Sequence, residues 1–442
     1  MSIPVVVIVG RPNVGKSTLF NKLTQKKTSI VNDTPGVTRD RLFGRTELMG
    51  RAVIVIDTGG IDLDNANEIE VQVNEQVNVA EEEADFIIFV VDKQQGLTSQ
   101  DRDILQKVRK TGKPLILAVN KVDQPAHEKE IGEFFQLGIE ATYPISAEHG
   151  LGLSELIEGL VKEFPPQLLH EEPVPEDAIR VAIVGKPNAG KSSLINKLLN
   201  SERCIVSSIP GTTRDTIDTY FEYQGKNIVF IDTAGIRRKG RTRNVLDKFS
   251  VIMALKALDR CDIAVLVLDG YDGVSEQDAT IAGYAVDRGK GCIIVANKWD
   301  LIQEPRKSFP EFEGRVRNKF KFLEFAPLLT VSAKTGQGLN KLLSSIGHVY
   351  GEYSKKITTG RLNDCFERAI IKNPMSSYRG KFLKMMYTTQ VKSCPPTFRC
   401  FVNYPQGVHF SYKRYLTNNL RKVFGFSGTP VRLLFSGRKK GV

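Results

Sequence analysis

The chain has 442 residues, 41% apolar and 25% charged, which excludes wholesale disorder and fibrous repeats and gives length for roughly three domains. Its longest apolar runs, Phe86 to Val91 and Ile263 to Leu268, are of buried-strand length, far short of the about 20 residues that a spanning helix needs. The net charge of +12 is unevenly placed: residues 350–442 hold 18 Lys and Arg against 3 Asp and Glu, and the rest hold 44 against 47. A tail of +15 on a body of -3 is a statement about polyanionic partners, not about the fold.

In chain order, Val5 to Val9 reads as a buried strand that begins too early to leave room for a charged leader. It runs into Gly10-Arg11-Pro12-Asn13-Val14-Gly15-Lys16-Ser17-Thr18, and the apolar runs Val53 to Ile56, Phe86 to Val91 and Leu115 to Val119 alternate with amphipathic helical stretches. The acidic, proline-rich stretch around Pro165-Pro166 and Pro173-Val174-Pro175 has the composition of an exposed linker. A second copy follows: Gly185-Lys186-Pro187-Asn188-Ala189-Gly190-Lys191-Ser192-Ser193, with runs at Ile228 to Ile231, Ile263 to Leu268 and Cys292 to Ala296. Alternation of this kind predicts a mostly parallel α/β sheet with helices on both faces. Beyond about Ser354 the texture changes. Leu362, Phe366, Ala369 and Ile370 predict a helix ended by Asn373-Pro374, Lys381 to Val391 and Thr397 to Asn403 predict strands, Tyr412, Tyr415, Leu416, Leu420 and Val423 predict a helix stopped by Gly425, and Pro430 to Phe435 predicts a last strand. The expected organisation is therefore 1–164, a linker at 165–178, 179–353, and a small α+β domain at 354–442.

The repeat holds at a shift of 175 residues through Pro35-Gly36-Val37-Thr38-Arg39-Asp40 against Pro210-Gly211-Thr212-Thr213-Arg214-Asp215, and Asp57-Thr58-Gly59-Gly60 against Asp232-Thr233-Ala234-Gly235. It widens to 177 at Asn120-Lys121-Val122-Asp123 against Asn297-Lys298-Trp299-Asp300, and to 186 at Ser146-Ala147 against Ser332-Ala333. A period this long means duplicated domains.

Each motif has its own chemistry. Strand, GxxxxGK[ST], helix is a phosphate cradle, in which backbone N–H groups and a helix N-terminus face the anion. Lys16 and Lys191 are expected at the β and γ phosphates, and Ser17 and Ser192 on Mg²⁺. Asp57 and Asp232, each ending an apolar strand, would complete the Mg²⁺ shell through water, with Gly60 and Gly235 offering N–H groups to the γ-phosphate. Thr38 and Thr213 are the candidate Mg²⁺-sensing threonines, with Thr34 and Thr212 as local competitors. Asp123 and Asp300 select guanine, because a carboxylate accepts from its N1–H and exocyclic amine together, a pair adenine lacks. Asn120 and Asn297 would brace the loops, the stems of Lys121 and Lys298 cover the base, and Ser146-Ala147 and Ser332-Ala333 add a backbone contact to the guanine O6. The ligands so implied are GTP or GDP with Mg²⁺.

The ordered set of motifs resembles the translation-factor-like GTPases. Two such domains with a basic tail resemble the bacterial Der family, also called EngA, across essentially the whole chain. In the tail the likeness rests on Thr359-Gly360-Arg361-Leu362-Asn363, Tyr387-Thr388-Thr389-Gln390, Pro395-Pro396-Thr397-Phe398, Phe401-Val402-Asn403 and Tyr412-Lys413-Arg414-Tyr415-Leu416. The resemblance implies two P-loop GTPase domains and a KH-like domain, GTP hydrolysis in the cytoplasm, and action on the large ribosomal subunit and its ribosomal RNA, with no DNA, no membrane and a monomeric chain. Ile61 and Ile236 stand where many GTPases carry a water-orienting glutamine, so intrinsic hydrolysis is expected to be slow. The resemblance further implies stimulation by K⁺ held near Asn13 and Asn188, against the alternative that these asparagines only shape the loop. A GTP-gated RNA modification or translation factor is the competing reading.

Three further features complete the sequence. The run Arg237-Arg238-Lys239-Gly240-Arg241-Thr242-Arg243 has no counterpart in the first copy, where Asp62 and Asp64 stand, and reads either as a solvated switch loop or as a contact to RNA or the tail. Lys and Arg interleave with aromatics in the tail, but no clear GxxG clamp is present, which favours shape or phosphate contacts over base-specific reading. The six cysteines and five histidines are scattered, so neither disulfide nor zinc is expected.

Overall fold

The computed structural model describes residues 3–24, 43–60, 74, 76–81, 84–164, 178–199, 205–206, 218–231 and 246–437. They fall into two compact units, 1–173 and 174–442.

In the first unit, β1 (Val5–Val9), β2 (Phe43–Leu48), β3 (Arg51–Asp57), β4 (Phe86–Asp92), β5 (Leu115–Asn120) and β6 (Thr142–Pro144) form one sheet in the order β2-β3-β1-β4-β5-β6. Only the β2–β3 pair is antiparallel. Parallel strands covered on both faces need continuous apolar runs, and β1 and β4 are buried throughout. Burying each such Val, Ile or Phe contributes about 1.5–3 kcal/mol. The helices are α1 (Lys16–Thr24), α2 (Ser99–Arg109) and α3 (Leu153–Lys162). The α2 start is written in the sequence as a capping box, with Thr98 and Asp101 bonding each other's backbone N–H.

The second unit repeats this plan. Strands β7 (Ile179–Val184), β8 (Ile205–Val206), β9 (Thr219–Tyr223), β10 (Lys226–Ile231), β11 (Ile263–Asp269), β12 (Gly291–Asn297) and β13 (Leu328–Thr330) form a sheet ordered β13-β12-β11-β7-β10-β9-β8. Helices α4 (Lys191–Leu199), α5 (Leu246–Arg260), α6 (Glu276–Asp287), α7 (Pro305–Lys319) and α8 (Leu339–Tyr353) accompany it. Every apolar run read from the sequence in the two sheet domains is a strand, extended by at most three residues. The antiparallel edge strand β2 was not foreseen, because FGRTEL pairs with its neighbour on one side only and carries little apolar signal.

The tail begins with α9 (Thr359–Lys372) and ends with α10 (Phe410–Phe424) followed by β18 (Arg432–Ser436). Between them the single strand expected over Lys381 to Val391 is two. Ser377–Tyr378 (β14) and Lys381–Phe382 (β15) form a hairpin, and Met385–Lys392 (β16) pairs with Thr397–Val402 (β17). The break falls where Leu383 turns into a small core with Met375, Val402 and Val408, and Asn403 holds the backbone on either side, accepting from Lys384 N–H and donating to the Phe382 carbonyl. Val423, expected on the apolar face of α10, is exposed, and Phe424 is buried in its place.

The tail packs on the second sheet domain at the amino ends of its strands. The Gly428 carbonyl accepts from Cys292 N–H at the start of β12 (2.7 Å), Gly428 N–H donates to the Phe325 carbonyl (2.8 Å), and Arg432 donates to the Asp287 carbonyl at the end of α6 (2.7 Å). The Arg421 guanidinium lies over the Phe325 ring at 4.5 Å, and Glu352 at the end of α8 accepts from Phe426 N–H. Among the described residues, no helix is long and apolar enough to cross a membrane.

Candidate guanine-nucleotide sites

In each sheet domain the motif residues meet at the carboxyl edge of the strands, where open α/β sheets hold their ligands. Gly10, Asp57, Asp92 and Asn120 follow or end β1, β3, β4 and β5. The Lys16 ammonium is buried and curls back onto the carbonyls of Gly10 (2.7 Å) and Arg11 (2.8 Å). Burial pushes it down to about 8, with the Asp57 carboxylate drawing it partly back. A Cβ on Gly59 would touch Lys16 Cε, Asp57 Oδ1 and Ser17 Oγ at 3.0, 3.1 and 3.4 Å, so these three groups converge on one point. Asp57 Oδ1 also accepts from Gly59 N–H at 2.8 Å, and Thr58 ties this turn to β1 through the Ile8 carbonyl at 2.6 Å.

Asn120 is the brace between loops. Its amide donates to the Val14 carbonyl (2.8 Å) and its carbonyl accepts from Ala147 N–H (2.9 Å), joining the cradle to the Ser146-Ala147 loop. A side chain at Gly15, whose φ is +96°, would meet that amide at 2.2 Å, so the cradle admits only glycine there. Ser146 donates from its hydroxyl to Asp123 Oδ1 (2.7 Å) and so fixes the carboxylate expected to read guanine. Lys121 adopts φ +67° and ion-pairs with buried Asp92 at 2.6 Å, which anchors the head of the side chain whose stem was expected over the base.

The second copy has the same frame. Lys191 reaches the carbonyls of Gly185 and Lys186 at 2.8 Å each, and burial lowers it to about 8 against the pull of Asp278. Asn297 joins Ala189 (2.8 Å) to Ala333 (3.0 Å), a Cβ on Gly190 would collide with its amide at 2.2 Å, and Lys298 pairs with Asp269 at 2.6 Å. Trp299, the chain's single tryptophan, packs edge-on to Phe312 at 5.4 Å beside these residues. Asn13 and Asn188 both hold left-handed backbone, φ +65° and +61°, a conformation asparagine tolerates, and both side chains are exposed at the cradle mouth. Thr34, Thr38, Ile61, Thr212, Thr213, Asp232, Thr233, Ala234, Gly235, Ile236 and Arg237 to Arg243 lie outside the described residues.

Three groups escaped sequence reasoning. Asp101 accepts from buried Arg11 (3.1 Å) while it caps α2, and Asp278 accepts from Lys186 N–H (3.4 Å) while it caps α6. Asp92 and Asp269 anchor the guanine-loop lysines. Both pairs recur at the 177-residue shift of Asn120 and Asn297, so a longer comparison of the two copies would have found them. Gln76, on the helical stretch 76–81, accepts from Gly10 N–H at 3.1 Å, and no sequence signal marks it.

The family model described as a 50S ribosome-binding GTPase matches residues 5–121 and 180–298, and that of the KH-domain-like C-terminal region of EngA bacterial GTPase enzymes matches 356–436. GTPase Der of Caldanaerobacter subterraneus subsp. tengcongensis is 47% identical over 100% of both chains. The chain belongs to the GTPase Der family. GTPase Der of Desulfitobacterium hafniense strain DCB-2 is similarly 49% identical over 98% of each chain. A solved Era structure with MgGDPNP and a 16S ribosomal RNA segment matches 75% of this chain and 92% of its own at 20% identity, with a TM-score of 0.31.

The residues present fit the nucleotide of a Der-family GTPase. Among the described residues, each cradle ammonium donates to two backbone carbonyls, and it is a buried group that a phosphate would stabilise in its charged form. In the first, Ser17 and Asp57 supply the hard oxygen donors that suit Mg²⁺ together with phosphate oxygens.

Proposed function

We propose that the chain hydrolyses GTP in both sheet domains and acts in assembly of the large ribosomal subunit, the relative docking of its domains changing with the γ-phosphate so that ribosomal RNA is bound and released. Support comes above all from one combination: two sets of guanine-nucleotide motifs in one chain with an EngA-type KH-like tail of +15. The units of action are 1–164, 179–353 and 354–442, with 165–178 as the linker.

In this reading Lys16 and Lys191 hold the β and γ phosphates, Gly60 and Gly235 donate to the γ-phosphate, and Asp123 and Asp300 read the guanine edge. Ser17, Thr38 and Asp57, and Ser192, Thr213 and Asp232, hold Mg²⁺, which supplies neutralisation of charge on the phosphate oxygens. Because Ile61 and Ile236 cannot orient water, intrinsic turnover is slow. Exposed Asn13 and Asn188 hold K⁺ at the cradle mouth, where a cation stabilises developing charge. Multiple-turnover GTP hydrolysis in matched K⁺ and Na⁺ buffers tests the enzymatic half. The expected rate in K⁺ is higher by at least about tenfold, and equal rates contradict the role given to the asparagines.

A further inference from the structure

We propose that the open face of the tail's three-stranded sheet is a stacking platform for unpaired RNA bases, with Tyr387 and Phe401 as the stacking rings and Arg399 as the adjoining phosphate contact. The proposal rests on the reading that the tail binds ribosomal RNA, and it names where and in what form.

Side-chain alternation divides the sheet β16-β17-β18 into two faces. Phe398, Cys400, Leu433 and Phe435 point to the helices and pack with Leu362 and Phe366 of α9 and Leu416 and Leu420 of α10. The register puts the other residues together on the far face. Tyr387 lies across from Phe401 and Ser436, Thr389 across from Arg399 and Leu434, and Thr397 beside Arg432. At the last of these rows the face is taken, since Thr397 is buried and Arg432 donates to the Asp287 carbonyl of the second GTPase domain. At the first it is open. Tyr387 is 48% exposed and its ring stacks on Phe401 at 4.3 Å and 18°, and Arg399 beside them is exposed.

Exposed Tyr387, stacked on half-buried Phe401, presents one aromatic face to water, and the chemistry around it selects the occupant. The three strands carry Lys392, Arg399 and Arg432 and not one carboxylate, within a tail of 18 cations against 3 anions. The face also carries half-buried Leu434, and Val391 at its edge is exposed, but the absence of any carboxylate on the three strands and the surplus of cations favour a polyanion over a protein surface. Duplex RNA offers no base faces to stack on, whereas unpaired bases stack readily on sheet aromatics. The usual clamp of KH domains needs a GxxG loop, for which the tail has no clear counterpart, so the sheet face supplies what that loop would.

The test uses the full chain with an unpaired labelled RNA of about ten nucleotides, a blunt duplex of equal length, and a salt series. Tyr387→Ala is expected to weaken unpaired RNA about tenfold with the salt slope unchanged, Tyr387→Phe to restore it, and duplex binding to stay as in the wild type. Arg399→Ala is expected to lower the salt slope by about one. Hydrogen exchange of α9 and α10 checks that the variants are folded. Wild-type affinity in Tyr387→Ala, or equal losses on both RNA forms, overturns the platform while leaving RNA binding by the tail in place. Loss of ribosomal-particle binding with oligonucleotide binding intact also overturns it, and assigns the face to a protein. If the wild type binds neither RNA, the ribosomal RNA reading fails and the platform with it.

Discussion

The two nucleotide cradles of this chain share a frame and differ in what stands behind it. In the first, the second residue of the cradle is Arg11, whose buried guanidinium donates to Asp101 and to Gln95. In the second it is Lys186, whose ammonium reaches out to partly exposed Asp272 at 3.4 Å while Asp278 takes only its backbone N–H. Thus, toward the second residue of the cradle, the same aspartate of the same capping box closes a buried ion pair in one domain and makes one long backbone contact in the other. A buried pair is expensive to break, because the surviving charge is stranded without water, whereas a backbone contact at 3.4 Å costs little to lose. The difference lies in this one position: the aspartate closes a buried ion pair with the second cradle residue in the first domain and not in the second.

The largest effects test the shared frame. Lys16→Ala and Lys191→Ala should each abolish tight nucleotide binding in their own domain, by about 10²-fold or more, and leave the other unchanged in equilibrium dialysis. Trp299 fluorescence should report only the second domain, since that tryptophan lies beside Lys298 and Asp300. Loss in both domains from either change would mean that the copies are not independent sites.

The next effect separates them. Asp101→Ala removes the partner of buried Arg11 and a helix cap together and should destabilise the first domain by about 3 kcal/mol or more. Asp278→Ala removes mainly the cap of α6 and should cost about 1 kcal/mol. Domain-resolved hydrogen exchange reads both, and equal losses would erase the distinction.

The smallest effect is again shared. Burial lowers Lys16 and Lys191 to about 8, and a bound phosphate favours their charged form, so binding takes up a proton above that pH. Nucleotide affinity should therefore be flat below pH 8 and fall as pH rises beyond it, by up to about tenfold per unit per site. Affinity that rises with pH would contradict the burial of these ammonium groups.

How much of this was legible in the sequence follows from what each residue answers to. Continuous apolar runs such as Phe86 to Val91 can hardly be anything but strands buried on both faces, and the cradle glycines are dictated by backbone geometry, as the 2.2 Å approach at Gly15 makes plain. The brace role of Asn120 was legible for the same reason. Gln76 was not, because a polar residue on an amphipathic helix looks the same whether it faces water or a distant N–H. Nor was the break at Leu383, since an alternating strand and a hairpin followed by a strand share one apolar pattern until Asn403 decides between them. Likewise, the docking of the tail puts at least one backbone group into each of its hydrogen bonds to Cys292, Phe325 and Asp287, and backbone groups carry no residue-level signal.

Control of large-subunit attachment by guanine nucleotide is tested most directly by co-sedimentation with isolated subunits in a non-hydrolysable GTP analogue or in GDP, across a salt series. Binding to the large subunit with the analogue alone, weakening steeply with salt, is the predicted result. Equal binding in both nucleotides, or none in either, would contradict it.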